Sequence, residues 1–179
     1  MVKTQEWHDV DKSHLSQGEW TKELDKKQWL DKETGLACLI VRSPGSYGLC
    51  GYVGVSEGHP WFKTGYSQCP LGDKCTDSDD FFCNHRPDAI IDIHGGLTFS
   101  DACDDGGRIC HIQEEGDPEV KWFGFDCAHS GDYSPSSSIL KNPDGTEMFS
   151  IRLEWETYKP VAFVEEQCKL LAKQLKEVA

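Results

Sequence analysis

Apolar residues in this chain fall into short extended runs divided by turn chemistry, and only the stretch after Pro160 switches to helical spacing. Gln28-Trp29-Leu30 and the run at residues 36–42 flank Lys32-Glu33-Thr34-Gly35, which predicts a β-hairpin. A Ser/Pro/Gly turn at 43–48 leads into a strand at 49–55, whose internal Gly51 and Gly54 predict a close neighbour on one face. Residues 89–94 and 119–125 read as further strands, and 149–155 alternates as an edge strand or a pairing arm. Val161, Val164, Cys168, Leu171, Ala172, Leu175 and Val178 then recur at helical spacing, so 160–178 is predicted as an amphipathic helix opened by Pro160.

The polar segment 1–26 carries Ser16 and Glu19 in capping-box spacing, which predicts one short helix in an otherwise mobile N-terminal segment. The core is expected between Gly35 and Phe163. Residues 58–87 are irregular, rich in Cys, Asp and Gly, and too long for a plain connector. The fold class expected is α+β: a mostly antiparallel or mixed sheet with long irregular loops, covered by the C-terminal helix.

A length of 179 residues suits one domain spanning 1–179 with a core of its own. Charge changes the picture of partners: 31 acidic against 18 basic residues give a net charge of −13, which opposes contact with phosphate backbones, so no nucleic acid is expected. The start is polar and no apolar run reaches membrane-spanning length, which predicts a cytoplasmic protein without a membrane partner. Nine cysteines, an odd number, fit a disulfide framework poorly and leave metal ligation, buried thiols and redox chemistry open.

The segments LCGYVGV (49–55), GHP (58–60), CNHRP (83–87), IHGGLTF (93–99), ICH (109–111) and WFGFDCAHSGD (122–132) resemble a family of uncharacterised bacteriophage and bacterial proteins. The resemblance covers roughly residues 28–178. It implies one domain and a phage accessory protein in the host cytoplasm, and no activity.

Two constellations could carry chemistry. Asp92 and His94 share a strand face ahead of Gly95 and Gly96, while Asp126, His129 and Asp132 lie three residues apart after the strand at 119–125. With His59 as a third imidazole, His94 and His129 would suit zinc or another divalent metal with an open position for water. In that reading His94, Asp92, Asp126 and His129 are catalytic, and His59, Gly95, Gly96, Trp61, Asp132 and Tyr133 line the ligand. Against it, Asp126 and Asp132 serve equally well as turn caps, with His129 bonded to a carbonyl. Cys127 offers a minor thiol-nucleophile alternative.

The second constellation is Cys69, Cys75, Cys83 and His85, candidate ligands of a structural zinc that would order the long loop. Reduced thiols or local disulfides remain open there. Asp77, Asp79 and Asp80 lack the EF-hand pattern. The functional expectation is a metal-assisted hydrolase of a small (phospho)ester or nucleotide-like substrate. The alternative is a non-catalytic module that sequesters a small polar ligand or a host protein.

Overall fold

The structure is a computed structural model, and it describes residues 3–75, 83–103, 107–111, 119–138 and 153–179. Within these, β1 (Gln5–Trp7), β2 (Lys26–Leu30), β3 (Ala37–Arg42), β4 (Leu49–Ser56), β5 (Phe99–Ala102) and β6 (Val120–Asp126) form a six-stranded sheet in the order β1-β2-β3-β4-β6-β5. Every pairing is antiparallel. A short helix, α1 (Pro87–Ile90), precedes β5, and the long helix α2 (Val161–Val178) packs on β3 and β4. The fold is therefore α+β. No helix among the described residues is long and apolar enough to cross a membrane.

Strand alternation divides the interior between the two sheet faces. Cys38 and Ile40 of β3, Val53 and Val55 of β4, and Phe123 and Phe125 of β6 meet Val164, Cys168, Leu171, Ala172 and Leu175 of α2. Ala37, Leu39, Val41, Tyr52 and Trp122 build a smaller cluster on the other face, with Phe99, Cys103 and Ile109 packed against it. Gly51 allows the close approach of α2: a Cβ there would lie 2.4 Å from Phe125 and 2.8 Å from the Cys168 sulfur. That is the close neighbour the glycine-bearing strand calls for.

The structure departs from the sequence expectations at both ends of the core. Leu15, Trp20 and Leu24 are buried, and Trp20 packs with Tyr133 and Tyr158 in a third cluster, so the core begins well before Gly35 and continues past Phe163 along α2. The predicted N-terminal helix is a single 3-10 turn, Glu19–Thr21, entered from Gly18 rather than capped by Ser16. The backbone oxygen of Ser16 instead accepts the Trp20 indole N–H. Residues 89–94 are not a strand; Pro87 starts a helical turn, and Ile91 and Ile93 are buried beneath α2. Of the predicted alternating run at 149–155, residues 149–152 lie outside the described residues, as does the acidic run 77–80.

One buried ionic node ties these parts together. Arg42, fully buried, donates from Nε to Asp25 at 2.8 Å, from Nη1 to the Tyr47 carbonyl and the Tyr158 hydroxyl, and from Nη2 to the Leu24 carbonyl. Tyr158 in turn donates to Glu23, whose other oxygen accepts the Val161 N–H, a first-turn donor of α2 left without a partner inside the helix. The N-terminal segment thereby fixes where α2 begins.

Candidate metal centre

Two turns bring the candidate side chains together. After β6, Asp126 Oδ1 accepts the Ala128 N–H and its Oδ2 accepts the Thr98 hydroxyl, closing a tight bend. Asp132 Oδ2 accepts the His129 N–H at 3.0 Å, and Gly131, at φ 96°, lets the chain double back. Backbone bonds from Thr157 to Gly131 and from Tyr133 to Thr157 lock this loop against the segment that leads into α2.

The opposite wall is the stretch 91–96. Ile91 and Ile93 point into the core, while the amides of Asp92 and His94 are bound by the side-chain oxygens of Gln174 and Gln167 on α2, each at 2.8 Å. Helix side chains thus replace the ladder partners a strand would have supplied. His94 stands edge-on to Phe163, with ring centroids 5.1 Å apart.

The two walls meet at three residues. His94 Nε2 lies 2.8 Å from Asp132 Oδ2, and His129 Nδ1 lies 3.7 Å from both Asp132 Oδ2 and Asp126 Oδ1. One ligand atom from each of His94, His129 and Asp132 can be chosen so that all lie within 4.8 Å of one another. The Asp132 side chain is 1% exposed, His94 22% and His129 30%, so the group is rooted in the protein and open to solvent on the imidazole side. His129 Nδ1 is buried and has no hydrogen-bond partner among the described residues. A buried ring nitrogen without a partner costs about 1–3 kcal/mol of desolvation, which a ligand at that atom would relieve.

Gly95 makes the arrangement possible. It sits at φ 68°, and a Cβ on it would come within 2.1 Å of the His129 ring. Gly95→Ala is therefore expected to push the imidazole out of the group and to cost about 1–3 kcal/mol in backbone strain. Urea unfolding and metal titration of that variant check both effects.

The remaining candidates are placed as follows. His59 is not part of the group: its Nδ1 accepts the Trp61 N–H, and its Nε2 lies 2.9 Å from the Leu175 carbonyl near the end of α2. Burial lowers the His59 pKa, partly offset by that carbonyl, and a neutral ring suits its role as a helix C-terminal partner. Trp61 and Tyr133 are core residues, packed near Phe123 and Trp20 respectively. Asp92 is exposed and is not one of the grouped side chains, Gly96 continues the Gly95 turn at φ 78°, and Asp126 lies at the edge of the group. Cys127 is buried, and burial drives its thiol well above the ordinary range, which disfavours a thiolate there. Cys69, Cys75 and Cys83 do converge, forming a second group without His85, which is exposed.

Sequence reasoning missed Lys159. Its ammonium lies 3.5 Å from Asp132 Oδ1 and donates to Thr157 Oγ1, and it comes from the segment before α2 rather than from either motif. Only the β-type bridge between Asp132 and Thr157 brings it there, a pairing with no local signature.

Comparison with protein-family models, with curated proteins and with solved structures gave no match to this chain. The chemistry of the site has to be read from its geometry.

Proposed function

We propose that His94, His129 and Asp132 hold one divalent cation, zinc or another first-row metal, and that the protein is a hydrolase of a small ester or phosphoester, nucleotide-like substrates included. The observation that carries this reading is the buried Nδ1 of His129, without a hydrogen bond among the described residues and facing two carboxylates and a second imidazole. Two histidines and one carboxylate are a common donor set for catalytic zinc or iron, and such a set leaves coordination positions for water. The bound metal would supply a water acidified enough to attack near neutral pH.

The chain's own groups would do the rest. Asp126, beside His129 and partly exposed, is placed to take a proton from the attacking water. Lys159 provides positive charge for an anionic substrate at a point where the protein otherwise carries a strong negative excess. The exposed Trp155 lies beside Gly131 and offers a face on which a planar group can stack. Such an activity suits the phage accessory role implied by the sequence resemblance, in which a small host metabolite would be destroyed.

One observation favours a non-catalytic use of the same cleft. The Asp132 carboxylate is already satisfied by His94, the His129 amide and Lys159, as it would be in a rigid pocket that only sequesters a small polar ligand or a host protein. The two readings separate in one assay. Metal-stripped protein is reloaded with zinc, manganese or iron and offered chromogenic carboxylate esters, phosphomonoesters and phosphodiesters. Hydrolysis that requires metal and falls by at least about 100-fold in His94→Ala and His129→Ala is the expected result. Metal uptake without turnover would establish the sequestering module, and absence of both would remove the metal centre.

A further inference from the structure

Beyond its anchors at His59, Trp61, Phe62 and Tyr66, the stretch between β4 and α1 is built of single turns. Among its described residues Trp61 and Cys83 are deeply buried, Phe62 and Tyr66 pack partly buried against the core, and Leu71 is 43% exposed. Many of its backbone bonds are short-range, such as Gln68 to Gly65, Lys74 to Leu71 and Cys75 to Gly72, and longer ties gather at Tyr66, whose N–H donates to the Ser100 hydroxyl and whose carbonyl accepts the Asp88 N–H. A segment of this length needs something that takes the place of a core.

Three thiols converge in it. Cys83 Sγ lies 2.7 Å from Cys69 Sγ and 3.2 Å from Cys75 Sγ, and the three sulfurs all lie within 4.8 Å of one another. Neutral thiols gain little from such crowding, because S–H is a weak donor and the sulfurs are inside van der Waals contact. Backbone turns hold the three cysteines in place: the Gly72 amide bonds the Cys69 carbonyl, the Cys75 amide bonds the Gly72 carbonyl, and the Arg86 amide bonds the Cys83 carbonyl. Gly72, at φ 51°, permits the turn between Cys69 and Cys75.

We propose that Cys69, Cys75 and Cys83 bind one zinc ion as thiolates, at a site separate from His94, His129 and Asp132, and that this ion braces the loop between β4 and α1. Soft sulfur donors select zinc over harder divalent ions. Zinc–sulfur bonds of about 2.3 Å would spread the sulfurs to about 3.8 Å apart, a change within reach of side-chain rotation. Cys69 and Cys75 are only half-buried, so water completes the tetrahedron from the solvent side. From Cys83 the brace passes to α1 through the Arg86 amide on the Cys83 carbonyl, and back to the loop through the Asp88 amide on the Tyr66 carbonyl.

The test uses the full chain without a tag, with His94→Ala and His129→Ala combined so that the other site is silent. That protein should retain one equivalent of zinc. Cys69→Ser or Cys75→Ser added to it should abolish this zinc and speed hydrogen exchange in residues 62–75 and 83–88 while the sheet stays protected. Cobalt substitution gives a readout that does not depend on variants folding: an intense thiolate-to-cobalt charge-transfer band is expected. Full zinc retention in Cys69→Ser overturns the proposal. So does a cobalt complex without that band, or a Cys69–Cys83 disulfide found by mapping the oxidised protein.

Discussion

Replacing Arg42 with alanine is expected to lower the unfolding free energy by about 3–5 kcal/mol, the usual cost of breaking a buried ion pair from one side. The guanidinium is fully buried and serves four separate acceptors: Asp25, the carbonyls of Leu24 and Tyr47, and the Tyr158 hydroxyl. Without it the two carbonyls and the hydroxyl lose a buried donor, and among the described residues Asp25 keeps Lys12 and the Val10 amide. Arg42→Lys should fall between, since an ammonium preserves charge but cannot reach several acceptors through a rigid fork. Urea denaturation at constant pH reads the difference, and a loss under about 1 kcal/mol would show that the node is not what holds the N-terminal segment.

The same node sets a pH dependence. Burial alone would raise the Asp25 carboxyl, but Lys12, the Val10 amide and Arg42 outweigh it and hold the group below its ordinary value. A carboxyl whose pKa is lower folded than unfolded contributes stability that is complete above the unfolded value of about 3.9 and fades as pH falls through the folded one. Acid unfolding of the wild type should therefore be steeper in that window than that of the Arg42 variants.

Asp132→Asn is expected to weaken metal binding at the His94/His129 site by at least about 100-fold, since changing even a group behind a ligand costs about 10–100-fold. The effect should be local. Asparagine keeps a carbonyl oxygen for the His129 amide, so the turn that shapes the loop survives, and the Thr157 bridge is made by backbone atoms. What disappears is the negative charge shared by His94 Nε2 and Lys159. Competition against a coloured chelator measures the affinity. Unchanged affinity would mean that Asp132 is a turn cap that no metal touches.

Much of the fold is legible because its signals are local and periodic. The β2–β3 hairpin, β4, β6 and α2 are all marked by spacing of two or 3.6 with turn residues between them. β1 is not legible: Gln5, Glu6 and Trp7 have no apolar alternation, and they become a strand only because Gln28, Lys27 and Lys26 offer a free edge. Residues 91–93 mislead for a related reason. The isoleucines carry strand propensity, but Pro87 imposes a helical turn, and the buried Ile91 and Ile93 dock beneath α2 instead of entering a ladder.

The site divides in the same way. His94, Gly95, His129 and Asp132 stand in short motifs where polar and glycine residues interrupt apolar runs, so their types and turns could be read directly. Their meeting depends on Gln167 and Gln174 gripping the 91–94 backbone, and on Thr157 pairing with the loop, which no spacing encodes. His59 illustrates the converse. A histidine after a strand suggests a ligand, yet this one satisfies the end of a helix remote in sequence.

The most direct test of the metal centre is anomalous diffraction from crystals of the untagged protein, recorded at the absorption edge of the metal found by elemental analysis. The geometry predicts a peak about 2.0–2.2 Å from His94 Nε2, His129 Nδ1 and an oxygen of Asp132, with His94 drawn away from its present hydrogen bond to that carboxylate. No peak there, with His94 still bonded to Asp132 and a water or Asp126 hydrogen-bonded to His129 Nδ1, would contradict the account.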